Sequence, residues 1–206
     1  MPVWIKICGI TCVEDALLCA EAGADAIGVN LVESSHRSVD VSAARELAES
    51  VAGRLEVVAV VADLPPGALA ELRRQTQIEW LQLHGSESPA ELESALPCAY
   101  KAVRIGAASD VDGARRYGGE RVLVDARVDG LLGGTGERFD WTLVETLVRE
   151  RRVVLAGGLD PDSVGEAIRR LRPWGVDVAS GVEAAVRRKD EGRVQSFVQR
   201  AREAAL

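Results

Sequence analysis

Three kinds of residue in this sequence could do chemistry together. Lys6 and Cys8 stand two positions apart near the start, Asp125 ends an apolar run, and the small-residue pairs Gly157-Gly158 and Ser180-Gly181 lie late in the chain. A thiol and a carboxyl group can move protons on and off one small molecule, and backbone N–H groups at glycine turns can receive an anion. A free thiol, with a pKa of about 8.5, is a poor base at neutral pH. In an extended segment alternate residues share a face, so Lys6 and Cys8 point the same way. An adjacent ammonium and a helix opening near Thr11 would favour the thiolate. The same position suits a small, inert core cysteine, and both readings stand at this point. Asp125 follows Val122-Leu123-Val124, where a carboxylate needs a capping or a chemical reason. The next good helix start, Asp140-Trp141, lies beyond the stretch Gly133-Gly134-Thr135-Gly136, which makes capping the poorer explanation. That stretch lacks the Lys-Ser/Thr of a nucleotide-binding loop; it suits either a loop that folds over a ligand or a plainly flexible surface loop, and both readings stand at this point. A carboxyl group in a closed, partly desolvated mouth can serve as an acid near neutrality.

These groups need a frame. Short apolar, β-branched runs alternate with helical patterns, as in βαβ units around a parallel sheet. Candidate strands are Val3 to Ile7, Ala26 to Leu31, Glu56 to Val61, Trp80 to Leu83, Tyr100 to Arg104, Arg121 to Val124, Val153 to Ala156 and Val176 to Ala179. Thr11 with Glu14, and Ser88-Pro89 with Glu91, fit capping boxes; Asp160-Pro161 fits a helix start with Pro at its first position. Gly23, Gly53, Gly118 and Gly175 follow helical patterns where a left-handed end residue is wanted. Val13, Ala16, Leu17 and Ala20 give the first helix one apolar face, and Glu191 to Ala204 forms the last. Eight units without a linker or repeat predict a single (β/α)8 barrel domain over residues 1–206; a doubly wound sheet would want a dinucleotide fingerprint after the first strand, and Gly9-Ile10-Thr11 is not one. In such a barrel the reacting groups sit at strand C-termini. Those positions hold Lys6, Cys8, Arg37, His84, Arg104 and Asp125, with the paired glycines in the seventh and eighth loops, where barrels usually hold phosphate.

Composition narrows the partners. The 206 residues carry 25 basic and 32 acidic side chains, net -7, which argues against a nucleic-acid-coating protein and requires any anionic ligand to be met locally. The start, Met1-Pro2-Val3-Trp4-Ile5-Lys6, has no secretory signal and no run is long enough for a membrane span, so a cytoplasmic protein without nucleic-acid or membrane partners is expected. Cys8, Cys12, Cys19 and Cys98 read as reduced thiols. Neither His36 nor His84 stands near the cysteines, so no metal is expected.

Taken in order, the motifs resemble the phosphoribosylanthranilate isomerase family along essentially the whole chain. Lys6-Ile7-Cys8-Gly9-Ile10-Thr11 is similar to that family's opening strand and loop, and Gln82-Leu83-His84-Gly85 to its fourth. Asp125 followed by Gly133 to Trp141 is similar to its sixth segment; Ala156-Gly157-Gly158-Leu159 and Val176 to Glu183 resemble its phosphate end. The resemblance implies a cofactor-free Amadori rearrangement of a phosphorylated substrate in tryptophan biosynthesis, by a monomer or homodimer. It makes Cys8 the general base and Asp125 the general acid, and places Arg37 at the anthranilate carboxylate. Lys6, His84, Gly134, Gly157, Gly158, Ser180 and Gly181 complete the expected substrate contacts. Val29 to Arg37 departs from the family pattern, with neither the usual aromatic residues nor the Ser-Pro-Arg, and Glu33 is expected to face solvent. A histidine-pathway aldose-ketose isomerase would want a carboxylate in place of Cys8, and a metal-dependent epimerase more strand-end ligands than His84. A non-catalytic barrel binding a phosphorylated metabolite has no need of both Cys8 and Asp125.

Overall fold

The computed structural model describes residues 2–125 and 141–206. Eight parallel strands close on themselves: β1 (Trp4–Cys8), β2 (Ala26–Asn30), β3 (Glu56–Val61), β4 (Trp80–Leu83), β5 (Ala99–Arg104), β6 (Arg121–Asp125), β7 (Arg152–Ala156) and β8 (Gly175–Val178), with β8 paired back to β1. Helices α1 (Val13–Glu21), α2 (Val41–Ser50), α3 (Pro66–Thr76), α4 (Pro89–Ala95), α5 (Ala108–Arg115), α6 (Glu145–Glu150), α7 (Val164–Leu171) and α8 (Glu191–Ala204) connect the strands and end the chain. After β8 a small antiparallel hairpin, β9 (Glu183–Ala185) and β10 (Arg188–Lys189), is inserted before α8. This is the expected β/α barrel, and the pairing of β1 with β8 excludes the open sheet. Among the described residues no helix is long and apolar enough to cross a membrane.

Local signals hold in part. Ser88 and Glu91 form the expected capping box, and Gly23 and Gly53 adopt left-handed φ of 83° and 74°. Thr11 does not cap α1: its hydroxyl donates to the Arg187 carbonyl oxygen at 2.9 Å, and Cys12 stands at the cap. Asp160 makes a turn, its carboxylate accepting from the amides of Asp162 and Ser163, and α7 begins only at Val164. The left-handed residue ending α7 is Arg172, whereas Gly175 lies inside β8, where an added Cβ would stand 2.9 Å from the Trp4 ring. At the end of α5 the positive φ falls on Gly119, one residue past the expected Gly118.

Alternation divides each strand between two layers. Outward residues such as Ile5, Ile7, Ile27, Ala59 and Leu81 pack under the helices, where α8 contributes Val194, Phe197, Val198 and Ala201 at helical spacing. Inward residues fill the barrel in tiers. The closed end holds Trp4, Trp80, Tyr100 and Trp174 around the guanidinium of Arg121, whose carbon lies 3.8–5.3 Å from the four ring centroids. Arg121 is almost fully buried and also donates to Glu56 at 2.8 Å. Stacked rings and one carboxylate thus replace the water this cation has lost. Replacing it by alanine would strand Glu56 and leave a void among the rings. Arg121→Ala is expected to lower the unfolding free energy by about 3 kcal/mol, read by urea denaturation; unchanged stability would deny the plug its structural role.

Candidate active site

At the C-terminal ends of the strands a cavity of about 490 Å³ opens between the loops, lined by Cys8, Asn30, Arg37, His84, Arg104, Asp125, Gly157, Gly158, Asp177 and Ser180, among others. A neighbouring hollow of about 420 Å³ shares His84, Arg104 and Asp125 with it. A larger hollow, about 710 Å³, lies near the chain ends, against Val3, Arg152, Arg172 and Trp174, and includes none of these groups. The chemistry-bearing residues named from the sequence therefore converge on one mouth, with three exceptions.

Lys6 is the first exception. It has no exposed surface and stands one tier below the mouth, donating to Asp177 at 2.9 Å and Gln82 at 2.8 Å. The expectation of direct substrate contact is corrected accordingly: the strand alternation placed Lys6 on the right face, but at a lower height along the barrel. Gly181 is the second. It is absent from the cavity lining, and an added Cβ would run into the Leu159 carbonyl oxygen, so this glycine lets the seventh and eighth loops touch. Gly134 is the third and lies outside the described residues, with the rest of 126–140.

Cys8 ends β1 and looks into the cavity. Burial pushes its thiol upward, while the ammonium groups of Lys6 and Lys189 pull the other way without prevailing. The expected thiolate stabilisation by Lys6 is thus present but outweighed by desolvation. Room for Cys8 and Lys6 comes from the neighbouring strand β2: an added Cβ on Gly28 would lie 2.6 Å from the Cys8 sulfur and 2.9 Å from Lys6 Cε. Asp125 ends β6, and strand register sets it beside Arg104 of β5.

Arg37 crosses over Gly9, whose missing side chain leaves space for its stem, and forms a bidentate pair with Glu183 at 2.7 and 2.6 Å. Lys189 holds the same carboxylate at 3.2 Å. Although burial opposes ionisation of Glu183, Arg37 and Lys189 hold it below the usual carboxylate range. The guanidinium uses Nε and Nη2 in this clamp, and Nη1 has no protein partner among the described residues. Glu33 is exposed, as expected. The β2 loop contributes Val32, Ser34 and Ser35, and no Phe, Tyr or Trp lines the cavity among the described residues; Val60, Leu123, Val178 and Leu159 provide its apolar wall.

Gly157 and Gly158 adopt consecutive positive φ of 94° and 69°, turning the chain where it lines the cavity, in the loop next to that of Ser180. Such a turn exposes backbone amides that can meet an anion. Asp177, Gln82, Tyr100 and Glu183 entered the sequence reading only as members of strands or family-like segments, with no role of their own. Asp177 interrupts Val176 and Val178 much as Asp125 follows its apolar run, and that signal could have flagged it.

Fold and mouth together define a β/α-barrel protein of the enzyme-bearing type, with a thiol and a carboxyl group facing one cavity at the C-terminal ends of the strands. A family model described as N-(5'phosphoribosyl)anthranilate (PRA) isomerase matches residues 5–200. The Thiobacillus denitrificans N-(5'-phosphoribosyl)anthranilate isomerase is 41% identical over 207 residues, covering 98% of this chain and 99% of that one. The Thermotoga maritima phosphoribosyl anthranilate isomerase structure superposes with a TM-score of 0.89 at 33% identity, covering 98% and 99%. A phosphoribosyl anthranilate isomerase in complex with reduced 1-(o-carboxyphenylamino)-1-deoxyribulose 5-phosphate gives 0.86 at 32%, with the same coverage. The chain belongs to the N-(5'-phosphoribosyl)anthranilate isomerase family, isomerases of tryptophan biosynthesis.

Gly28→Ala is expected to cost about 1–3 kcal/mol through overpacking and to cut turnover by displacing Cys8. Thermal denaturation beside a turnover assay checks this; an unchanged protein on both counts would show that the close approach is not needed.

Proposed function

We propose that residues 1–206 act as one catalytic domain that rearranges N-(5'-phosphoribosyl)anthranilate to 1-(2-carboxyphenylamino)-1-deoxyribulose 5-phosphate, with Asp125 as general acid and Cys8 as general base. The observation that carries this reading is that both residues line one cavity from β1 and β6, strands separated by β7 and β8 around the ring. Asp125 gives a proton to the ribose ring oxygen, which breaks the C1–O bond and leaves an open-chain Schiff base. Cys8 then removes the proton from the second ribose carbon, and the electron pair moves to form the enolamine, which relaxes to the ketose. Two groups on different sides of one substrate can divide the two transfers.

The Arg37 Nη1 edge meets the anthranilate carboxylate while Glu183 holds the opposite edge of the guanidinium. The ring rests against the aliphatic wall rather than on aromatic side chains. Gly157, Gly158 and Ser180 offer backbone N–H groups to the phosphate, and Gly181 adjoins them; Gly134 is a further substrate contact in this reading. Lys6 acts from below by fixing the tier beneath Cys8. No cofactor enters this scheme. The enzyme works in the cytoplasm as a monomer or homodimer, with this small phosphorylated molecule and no nucleic acid as its partner.

Loss of anthranilate fluorescence from substrate generated in situ tests the reaction, with Cys8→Ala and Asp125→Ala alongside. Each variant is expected to lose turnover by at least about 100-fold while remaining folded; near-native turnover in either would overturn its assigned role. Because the Cys8 thiol lies above the usual cysteine value, its basic form grows as pH rises. Log kcat/KM is expected to climb with about unit slope from near pH 7 upward, and a flat profile there would count against Cys8 as base.

A further inference from the structure

The tier beneath the mouth contains a chain of polar contacts that the rearrangement scheme leaves unused. It starts at the Lys6 ammonium, which can only donate hydrogen bonds. The Gln82 atom 2.8 Å from it must therefore be the amide oxygen. The Tyr100 hydroxyl donates to the same atom at 3.1 Å. With its oxygen so committed, Gln82 presents its NH2 group to His84 Nδ1, 2.9 Å away. A nitrogen facing an amide donor must accept, so Nδ1 bears no hydrogen. The remaining ring nitrogen, Nε2, has no protein partner among the described residues, and His84 lines the mouth beside Asp125.

We propose that Gln82 is a positioning residue that fixes His84 as the neutral tautomer with hydrogen on Nε2, so that the ring offers one uncharged donor to the oxygens of the substrate's pentose. An imidazolium would set Nδ1–H against the Gln82 NH2 group, two donors in contact with no water to separate them. The surrounding charges agree with this on balance: burial lowers the tendency of His84 to protonate, and Lys6 and Lys101 add to that, while Asp125 and Asp177 oppose it. A neutral donor can bond a sugar oxygen without becoming a third proton source beside Asp125 and Cys8. Lys6, Gln82 and Tyr100 come from three strands, so the tautomer is set by barrel register rather than by a neighbour in sequence. The role in turnover rests on the reading of the mouth as the catalytic site, but the tautomer does not.

Nitrogen-15 NMR of histidine-labelled protein tests it directly, since the chain has only two histidines and His36→Asn assigns the other. Wild-type His84 is expected to show an unprotonated Nδ1 and a protonated Nε2, unchanged as pH falls through the ordinary histidine value. A protonated Nδ1, or titration near that value, would overturn the proposal whether or not the protein turns over substrate. Gln82→Glu removes the donor that faces Nδ1. It is expected to move Nδ1 into the protonated range and lower kcat about tenfold with little change in KM. Gln82→Glu protein with an unprotonated Nδ1 and native kcat would equally overturn it, and His84→Ala turning over at the native rate would remove the donor role.

Discussion

A lysine ammonium without exposed surface sits at the middle of this barrel, and so much else follows from it that it is the natural place to begin. Desolvating such a charge is costly by several kcal/mol unless partners replace the lost water. Burial alone would lower the proton affinity of Lys6, yet the carboxylate of Asp177 and its other neighbours more than offset this, so the group stays charged. Gln82 must then point its oxygen inward, and a carboxyl oxygen of Asp177 takes the second contact at 2.9 Å. Strands β1, β4 and β8 are locked at one height by these two contacts. A shift of a single residue in any of the three would turn one partner outward and leave the ammonium alone.

The mouth inherits its geometry from that tier. Cys8 sits one inward step above Lys6 on the same strand, and His84 one inward step above Gln82, so two walls of the cavity are built on buried polar contacts. The loops above are tied separately. Arg37 and Glu183 join the loop after β2 to the hairpin after β8 by paired charge-assisted bonds, and Lys189 closes the group from within β10. Buried floor and clamped rim together hold the β1 and β8 side of the mouth, where Cys8 stands. Even the absent side chains take part, since Gly28 and Gly9 stand where the stems of Cys8, Lys6 and Arg37 pass.

Much of this was legible in the sequence, for identifiable reasons. Strands buried on both faces read as apolar runs, which is why β3 and β4 fall at their expected limits and why Asp125 at the end of Val122-Leu123-Val124 stands out, while the helical spacing of Val194, Phe197, Val198 and Ala201 marks α8. What escaped depends on partners far away in the chain. Lys6 looked like a mouth residue because alternation gives the face and not the depth, and its counter-ion is 171 positions distant. Arg37 fell on the correct loop, but Glu183, 146 residues later, was invisible as its partner. Thr11 had the spacing of a cap and gave its hydroxyl to Arg187 instead. Gly175 looked like a helix end and proved to be the space in which Trp4 lies.

The closed end of the barrel has an optical consequence. Of the four tryptophans, Trp4, Trp80 and Trp174 crowd around one guanidinium. The chain's ultraviolet emission therefore arises mainly from the pole opposite the mouth, in surroundings that exist only while the strands are closed. The molecule carries its own reporter of barrel closure, set apart from the cavity at the other end of the strands.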